Sequence, residues 1–132
     1  MPIETRTRVT RAMLKGEPDK LFVFGDNLAH RGLGGQAVEM RGERNAVGIP
    51  TKIAPSMAPD AFFSDRNLKV AAAEIDKAVS QLAEHLRRGG TVVLPADGIG
   101  TGRAELAERA PQIRAYLDEQ LASLAALGEA ER

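Results

Sequence analysis

Two rhythms of hydrophobic and polar positions run along this chain. Residues 3–9 set apolar side chains and threonines against charged ones with a period of two, the pattern of a half-exposed strand. Residues 21–24, 46–49 and 91–94 are instead short, unbroken apolar runs. Such runs are strands buried on both faces, as in a parallel sheet lying between helices. The first breaks at Gly25, and the other two are stopped by Pro50 and Pro95.

Between the runs the period lengthens to that of a helix. Residues 67–88 carry Leu68, Ala72, Ile75, Val79, Leu82 and Leu86 at steps of three and four, one apolar stripe. Ser64 or Asp65 can cap its start, and Arg87 and Arg88 suit the negative end of its dipole before Gly89. Residues 106–124 repeat the pattern through Ala110, Ile113, Leu117, Leu121 and Leu124, with Pro111 tolerable only near the first turn. Shorter helices are predicted over residues 10–15 and 36–41, ended by Gly16 and Gly42. Residues 51–65 hold two prolines and no period, a long loop of the kind that is usually functional or mobile. Buried strands alternating with amphipathic helices define an α/β class, here a three-layer α/β/α domain with a mixed, mostly parallel sheet. The 132 residues make one domain, residues 1–132, with its core over residues 3–124 and a frayed tail at 125–132.

Composition narrows the chemistry. With 43% hydrophobic and 27% charged residues, the chain can bury a core without a disulfide or a metal. Its 18 basic and 18 acidic residues cancel, which speaks against nucleic-acid binding through bulk charge. The lack of cysteine excludes disulfides, zinc–thiolate sites and cysteine nucleophiles. His30 and His85 are the only histidines, so no metal centre and no metal cofactor are expected. No apolar run reaches the ~20 residues that cross a bilayer, and the start lacks the apolar stretch of a signal peptide. The expected compartment is the cytoplasm, with no membrane partner.

The glycines are placed unevenly. Gly25, Gly32, Gly34, Gly35, Gly98, Gly100 and Gly102 all follow the C-terminal ends of predicted strands. Ligands of open α/β sheets bind outside those ends. Glycine there lets backbone N–H groups approach phosphate oxygens with no Cβ in the way, and a helix start behind the loop adds its dipole. Gly34 and Gly35 lead directly into the helix at Gln36, and Gly102 precedes the last helix. Two such loops suit a diphosphate gripped from both sides; tight turns are the plainer alternative. Neither loop carries the Gly-Lys-Ser/Thr of a nucleotide-hydrolysing P-loop.

Three segments carry a family resemblance. Phe22-Val-Phe-Gly-Asp-Asn27 followed by Gly32-Leu-Gly-Gly-Gln-Ala37 resembles the first signature of macro domains, an apolar strand ending in Asn before a glycine-rich loop. Val92-Val-Leu-Pro-Ala-Asp-Gly-Ile-Gly-Thr-Gly102 is similar to the second, a strand ending in Pro before a loop that wraps phosphate and ribose. Between them, Val47-Gly-Ile-Pro-Thr-Lys52 resembles the lysine-dependent branch found in DNA ADP-ribosylation antitoxins and a related human glycohydrolase. The resemblance covers residues 20–124 and implies a macro-like domain binding ADP-ribose or a related NAD-derived dinucleotide, free or attached to DNA or protein. On that resemblance Asn27 bonds the distal ribose, and Gly34 and Gly35 lie beside the diphosphate. Ile99, Gly100, Thr101 and Gly102 close over the phosphates and ribose, and Lys52 acts in catalysis. Two departures stand out: residues 8–11 lack the acid that holds adenine in macro domains, and Gly102 replaces an Asp of some lysine-branch members.

The chemistry then rests on few side chains. Lys52 can attack C1 of a ribose only when unprotonated, or else can hold phosphate as a point charge. Asp97, between Pro95 and Gly98, can orient water or accept a ribose hydroxyl, and equally can stabilise its turn. Asp26 and Asn27 end a strand at the ligand face, where an Asx turn is also common. The candidate catalytic set is Lys52, Asn27 and Asp97. The candidate ligand contacts add Gly25, Asp26, Gly32, Gly34, Gly35, Gln36, Pro50, Thr51 and Gly98, together with residues 99–102. Phe62 or Phe63 can stack on a base or pack the long loop onto the core. Three activities remain: an ADP-ribosyl hydrolase, a noncatalytic reader of an NAD-derived nucleotide, and a nucleic-acid scaffold working through Arg31, Arg41 and Arg44.

Overall fold

A computed structural model describes residues 2–99 and 104–130. The strands are β1 (Ile3–Arg6), β2 (Lys20–Asn27), β3 (Ala46–Lys52) and β4 (Thr91–Pro95). The helices are α1 (Arg11–Gly16), α2 (Ala37–Met40), α3 (Leu68–Arg87), α4 (Leu106–Arg109) and α5 (Pro111–Ala130). Local chemistry sets several boundaries. Thr10 caps α1 by accepting the Met13 N–H at 3.3 Å. A reciprocal Ser64–Asn67 capping box closes the 3₁₀ turn Asp65–Asn67 that feeds α3.

The described strands lie in the order β1-β4-β2-β3, and every neighbouring pair is parallel. No antiparallel member appears among them, so the sheet is more uniform than the mixed one expected. Strand side chains alternate between two helical layers. Val23, Val47, Ile49 and Val92 pack against Ile75 and Leu82 of α3 and Ile113 and Leu117 of α5. On the other face Phe22, Phe24 and Val93 meet Leu14 of α1 and Ala37 and Met40 of α2. Full burial of such a side chain contributes roughly 1.5–3 kcal/mol. The three-layer α/β/α arrangement follows directly.

Some boundaries differ from the pattern reading. β2 continues through Gly25 to Asn27, and β3 through Pro50 to Lys52. β3 is an edge strand, the place where a sheet tolerates a proline without an N–H. The single helix expected over residues 106–124 is two: Pro111 opens α5 at a first-turn position, where its missing N–H costs nothing, and α4 ends before it. α5 also runs to Ala130, so residues 125–130 are helix rather than a frayed tail. Gly128 is buried there, and a Cβ on it would stand 2.8 Å from Ile3 Cδ1.

The connections create a crevice. Chain leaving β2 enters α2 on one face, while chain leaving β4 leads to α4 and α5 on the other. β2 and β4 are neighbours, so their C-terminal ends form the point where the topology switches and ligands characteristically bind. Among the described residues no helix is long and apolar enough to cross a membrane.

Candidate functional site

A cleft of about 400 Å³ opens at this switch point, a volume typical of small-molecule sites. Asp26, Asn27 and Gly25 from the end of β2 line it, with Thr51 and Lys52 from the end of β3. The first glycine loop supplies Gly32, Gly34, Gly35 and Gln36, and the β4 side supplies Pro95, Gly98 and Ile99. Both glycine-bearing segments therefore border one cavity.

Asn27 and Lys52 are buried polar residues of this cleft and partners across β2 and β3. Asn27 Nδ2 donates to the Arg31 carbonyl at 2.8 Å. Its Oδ1 is buried and accepts no hydrogen bond among the described residues. A buried acceptor left so costs about 1–3 kcal/mol until a donor reaches it. Lys52 Nζ donates to the Ser56 carbonyl at 2.7 Å and lies 4.4 Å from the centre of the Phe62 ring. The same ring carries the Arg109 guanidinium at 3.8 Å. Phe62 and Phe63 are both buried, so the long loop packs onto the core and neither ring is offered to a base.

Asp26 is buried at the neck of the glycine loop. Arg41 Nη2 donates to its Oδ1 at 2.6 Å, and His30 Nδ1 lies 3.1 Å from its Oδ2. Burial pushes the carboxyl up, but the hydrogen bonds from Arg41, His30 and the Asn27 backbone together outweigh it and hold Asp26 below its ordinary range. Arg41 also donates from Nε to the Gly32 carbonyl at 2.8 Å and from Nη2 to the Arg31 carbonyl at 3.2 Å. One guanidinium thus ties the loop to the sheet. Gly32 needs to be glycine: its φ is +93°, and a Cβ would stand 2.7 Å from Pro55 Cβ.

Not every predicted residue converges here. Asp97 is exposed in the turn after β4 and does not line the cleft. Pro50 borders a different hollow, between β3 and α3. Gln36 lines the cleft, yet its side-chain amide is engaged with Val9: Oε1 accepts from the Val9 N–H at 3.0 Å, and Nε2 donates to its carbonyl at 3.3 Å. Gly100, Thr101 and Gly102 lie outside the described residues, as does Arg103. Pattern reading passed over Arg41 as one basic residue among several, and gave no role to Phe24, Pro55 or Met57, which also line the cleft. For Arg41 a usable signal existed: it stands one helix behind the glycine loop, within reach of an Asp ending a central strand. Among the described residues no group of three or more His, Asp or Glu side chains is placed to hold a metal.

The model of a family of unknown function, DUF7831, matches residues 4–120. The chain belongs to the DUF7831 family. Comparison with curated proteins and with solved structures finds no match. The DUF7831 match begins in β1 and ends within α5, so every cleft residue described above falls inside it.

Proposed function

We propose that this DUF7831 domain is a macro-like module whose cleft binds ADP-ribose or a related NAD-derived dinucleotide in the cytoplasm. The observation that carries the reading is the buried pair Asn27 and Lys52 at the foot of a glycine loop, at the sheet's switch point. Asn27 Oδ1 wants a donor, and a ribose hydroxyl is one. The glycine loop admits a diphosphate to its backbone, and Lys52 supplies a positive charge beside it. In the catalytic form of this reading the ligand is an ADP-ribosyl group on DNA or protein. Either water attacks C1 of the distal ribose directly, or the unprotonated Lys52 amine attacks it and water then displaces the lysine. In both routes the bond from C1 to the macromolecule breaks, and the leaving atom takes up the proton that the attacking water or amine gives up.

One observation favours a noncatalytic reader over a hydrolase. Asp97 stays outside the cleft, and Asp26 is held ionised by Arg41, so no carboxylic acid within the described cleft is free to give a proton near neutral pH. The nucleic-acid reading is weakened, because Arg41 is already engaged by Asp26 and the loop carbonyls.

Calorimetric titration with ADP-ribose, using AMP and NAD as controls, tests the binding. Micromolar affinity for ADP-ribose alone supports it, and no heat with any of the three rejects it. Release of ADP-ribose from modified DNA and modified protein then separates hydrolase from reader.

A further inference from the structure

Among the described residues three cations, Arg31, Arg41 and Lys52, line the cleft, and their surroundings differ. Arg41 is paired with the buried Asp26 carboxylate and donates to two loop carbonyls. Lys52 is buried, bonded to the Ser56 carbonyl and set against Phe62. Arg31 is the opposite case. It is exposed, and its guanidinium makes no hydrogen bond or ion pair with the described residues. Its backbone is nevertheless fixed: the Arg31 carbonyl accepts from Asn27 Nδ2 at 2.8 Å and from Arg41 Nη2 at 3.2 Å. The residue before it, His30, sits in the left-handed region with φ +53°, and bonds Asp26. Two inward side chains therefore hold the main chain of a residue whose own side chain borders the cleft.

We propose that Arg31 is an anion-binding residue of the cleft, taking a phosphate oxygen of the ligand, and that Asn27 and the Asp26–Arg41 ion pair are positioning residues that present it. A fixed backbone removes much of the ordering cost of engaging a long side chain, and a guanidinium matches two phosphate oxygens at once. Arg41 cannot take that part, because the Asp26 carboxylate already occupies it. The assignment rests on the cleft being a phosphate-bearing ligand's site, as proposed above, but not on that ligand being ADP-ribose.

Calorimetry with two probes, ADP-ribose and inorganic pyrophosphate, tests it on the wild type, Arg31→Gln, Arg31→Lys and a surface control, Arg87→Gln. Arg31→Gln is expected to weaken both probes by about tenfold or more and to flatten the salt dependence of binding. Arg31→Lys restores part of the affinity, and Arg87→Gln changes neither. Arg31→Gln binding ADP-ribose as the wild type does overturns the assignment and leaves the ADP-ribose reading standing. Pyrophosphate binding that depends on Arg31, with no binding of ADP-ribose, upholds the assignment and removes that reading. A wild type that binds neither probe overturns both. For the positioning residues, Asp26→Asn and the milder Arg41→Lys should speed amide exchange across residues 31–35 in the ligand-free protein and weaken pyrophosphate several-fold. Unchanged exchange in a folded Arg41→Lys variant overturns the presenting role.

Discussion

Asn27 and Lys52 stand opposite each other across β2 and β3 because the ladder skips Thr51: Asp26 pairs with Pro50, and the next residue of β2 pairs with Lys52. An irregularity of this kind re-aims the side chains that follow it, and such irregularities gather beside active sites. Without it Asn27 would face a threonine. With it, a lysine lies next to an amide whose oxygen lacks a partner.

Replacement of Lys52 by Ala separates the two forms of the proposed function. If the amine takes part in the chemistry, release of ADP-ribose from modified DNA or protein falls by at least about 10²-fold while affinity for free ADP-ribose changes by less than about tenfold. Parallel modest losses in rate and affinity would leave Lys52 as a binding cation only.

Phe62→Leu keeps an apolar side chain under Lys52 and Arg109 but removes the aromatic face. The loss of two cation–ring contacts and of some packing is expected to destabilise the fold by about 1–3 kcal/mol. Urea unfolding should show a lower midpoint at an unchanged slope. No shift in the midpoint would mean that neither cation gains anything from the ring.

Gly48 lies beside Asp26, and a Cβ there would stand 2.6 Å from the carboxylate Oδ2 and 2.8 Å from Asp26 Cβ. Gly48→Ala must therefore push Asp26 away from Arg41. A loss of about 1–3 kcal/mol is expected, as for other overpacked sites. Ligand affinity should fall with it, since the same carboxylate anchors the glycine loop. Wild-type stability in denaturant would show that the strand gives way without cost.

Acid should weaken the fold through identifiable groups. The Asp26 carboxyl is held below its ordinary value of 3.8, and hydrogen bonds from Arg6 and Lys20 bring Glu17 down from 4.5 to about 2. In each case the unfolded chain binds protons more readily than the folded one. The stabilisation is complete above about pH 4.5 and is lost as pH falls through the folded-state values, with most of the Glu17 contribution gone near pH 2. Asp26→Asn and Glu17→Gln should each flatten the dependence of unfolding free energy on pH between about 5 and 2. Unaltered slopes in both variants would show that neither carboxylate is paired in solution as it is here.

Much of the fold was legible because burial imposes periodicity. The stripe on α3 was readable, although its deepest residues are Ala71, Ile75, Ala78, Leu82 and Leu86, with Leu68 and Val79 on its flank. A small residue such as Ala71 or Ala78 carries little apolar weight, so the stripe's centre was displaced. Gly25 and Pro50 look like strand breakers, yet each sits inside a strand, since pairing depends on neighbours far away in sequence. The first glycine loop and its place at the end of β2 were legible, and at Gly32 the reason is plain: with φ +93° and Pro55 beside it, few other residues fit. The place of Arg41 one helix behind the glycine loop was a signal, but its partners, Asp26 and two loop carbonyls, are brought to it only by the sheet. Asp97 is exposed in the turn before the second glycine loop, so its nearness to that loop in sequence does not by itself put it in the cleft.

The all-parallel sheet also sets an order of events. β3 follows β2 after one short helix, so those two strands can pair while the rest of the chain is still being made. Among the described strands β1 pairs only with β4, Ile3 opposite Val92, and its Ile3 side chain packs against Gly128 of α5. Pairings so distant in sequence form late and slowly. A chain emerging from the ribosome therefore carries β1 without its partner until β4, some ninety residues later, has been made. Both long-range pairings of the sheet, β1 with β4 and β2 with β4, wait on the same late strand.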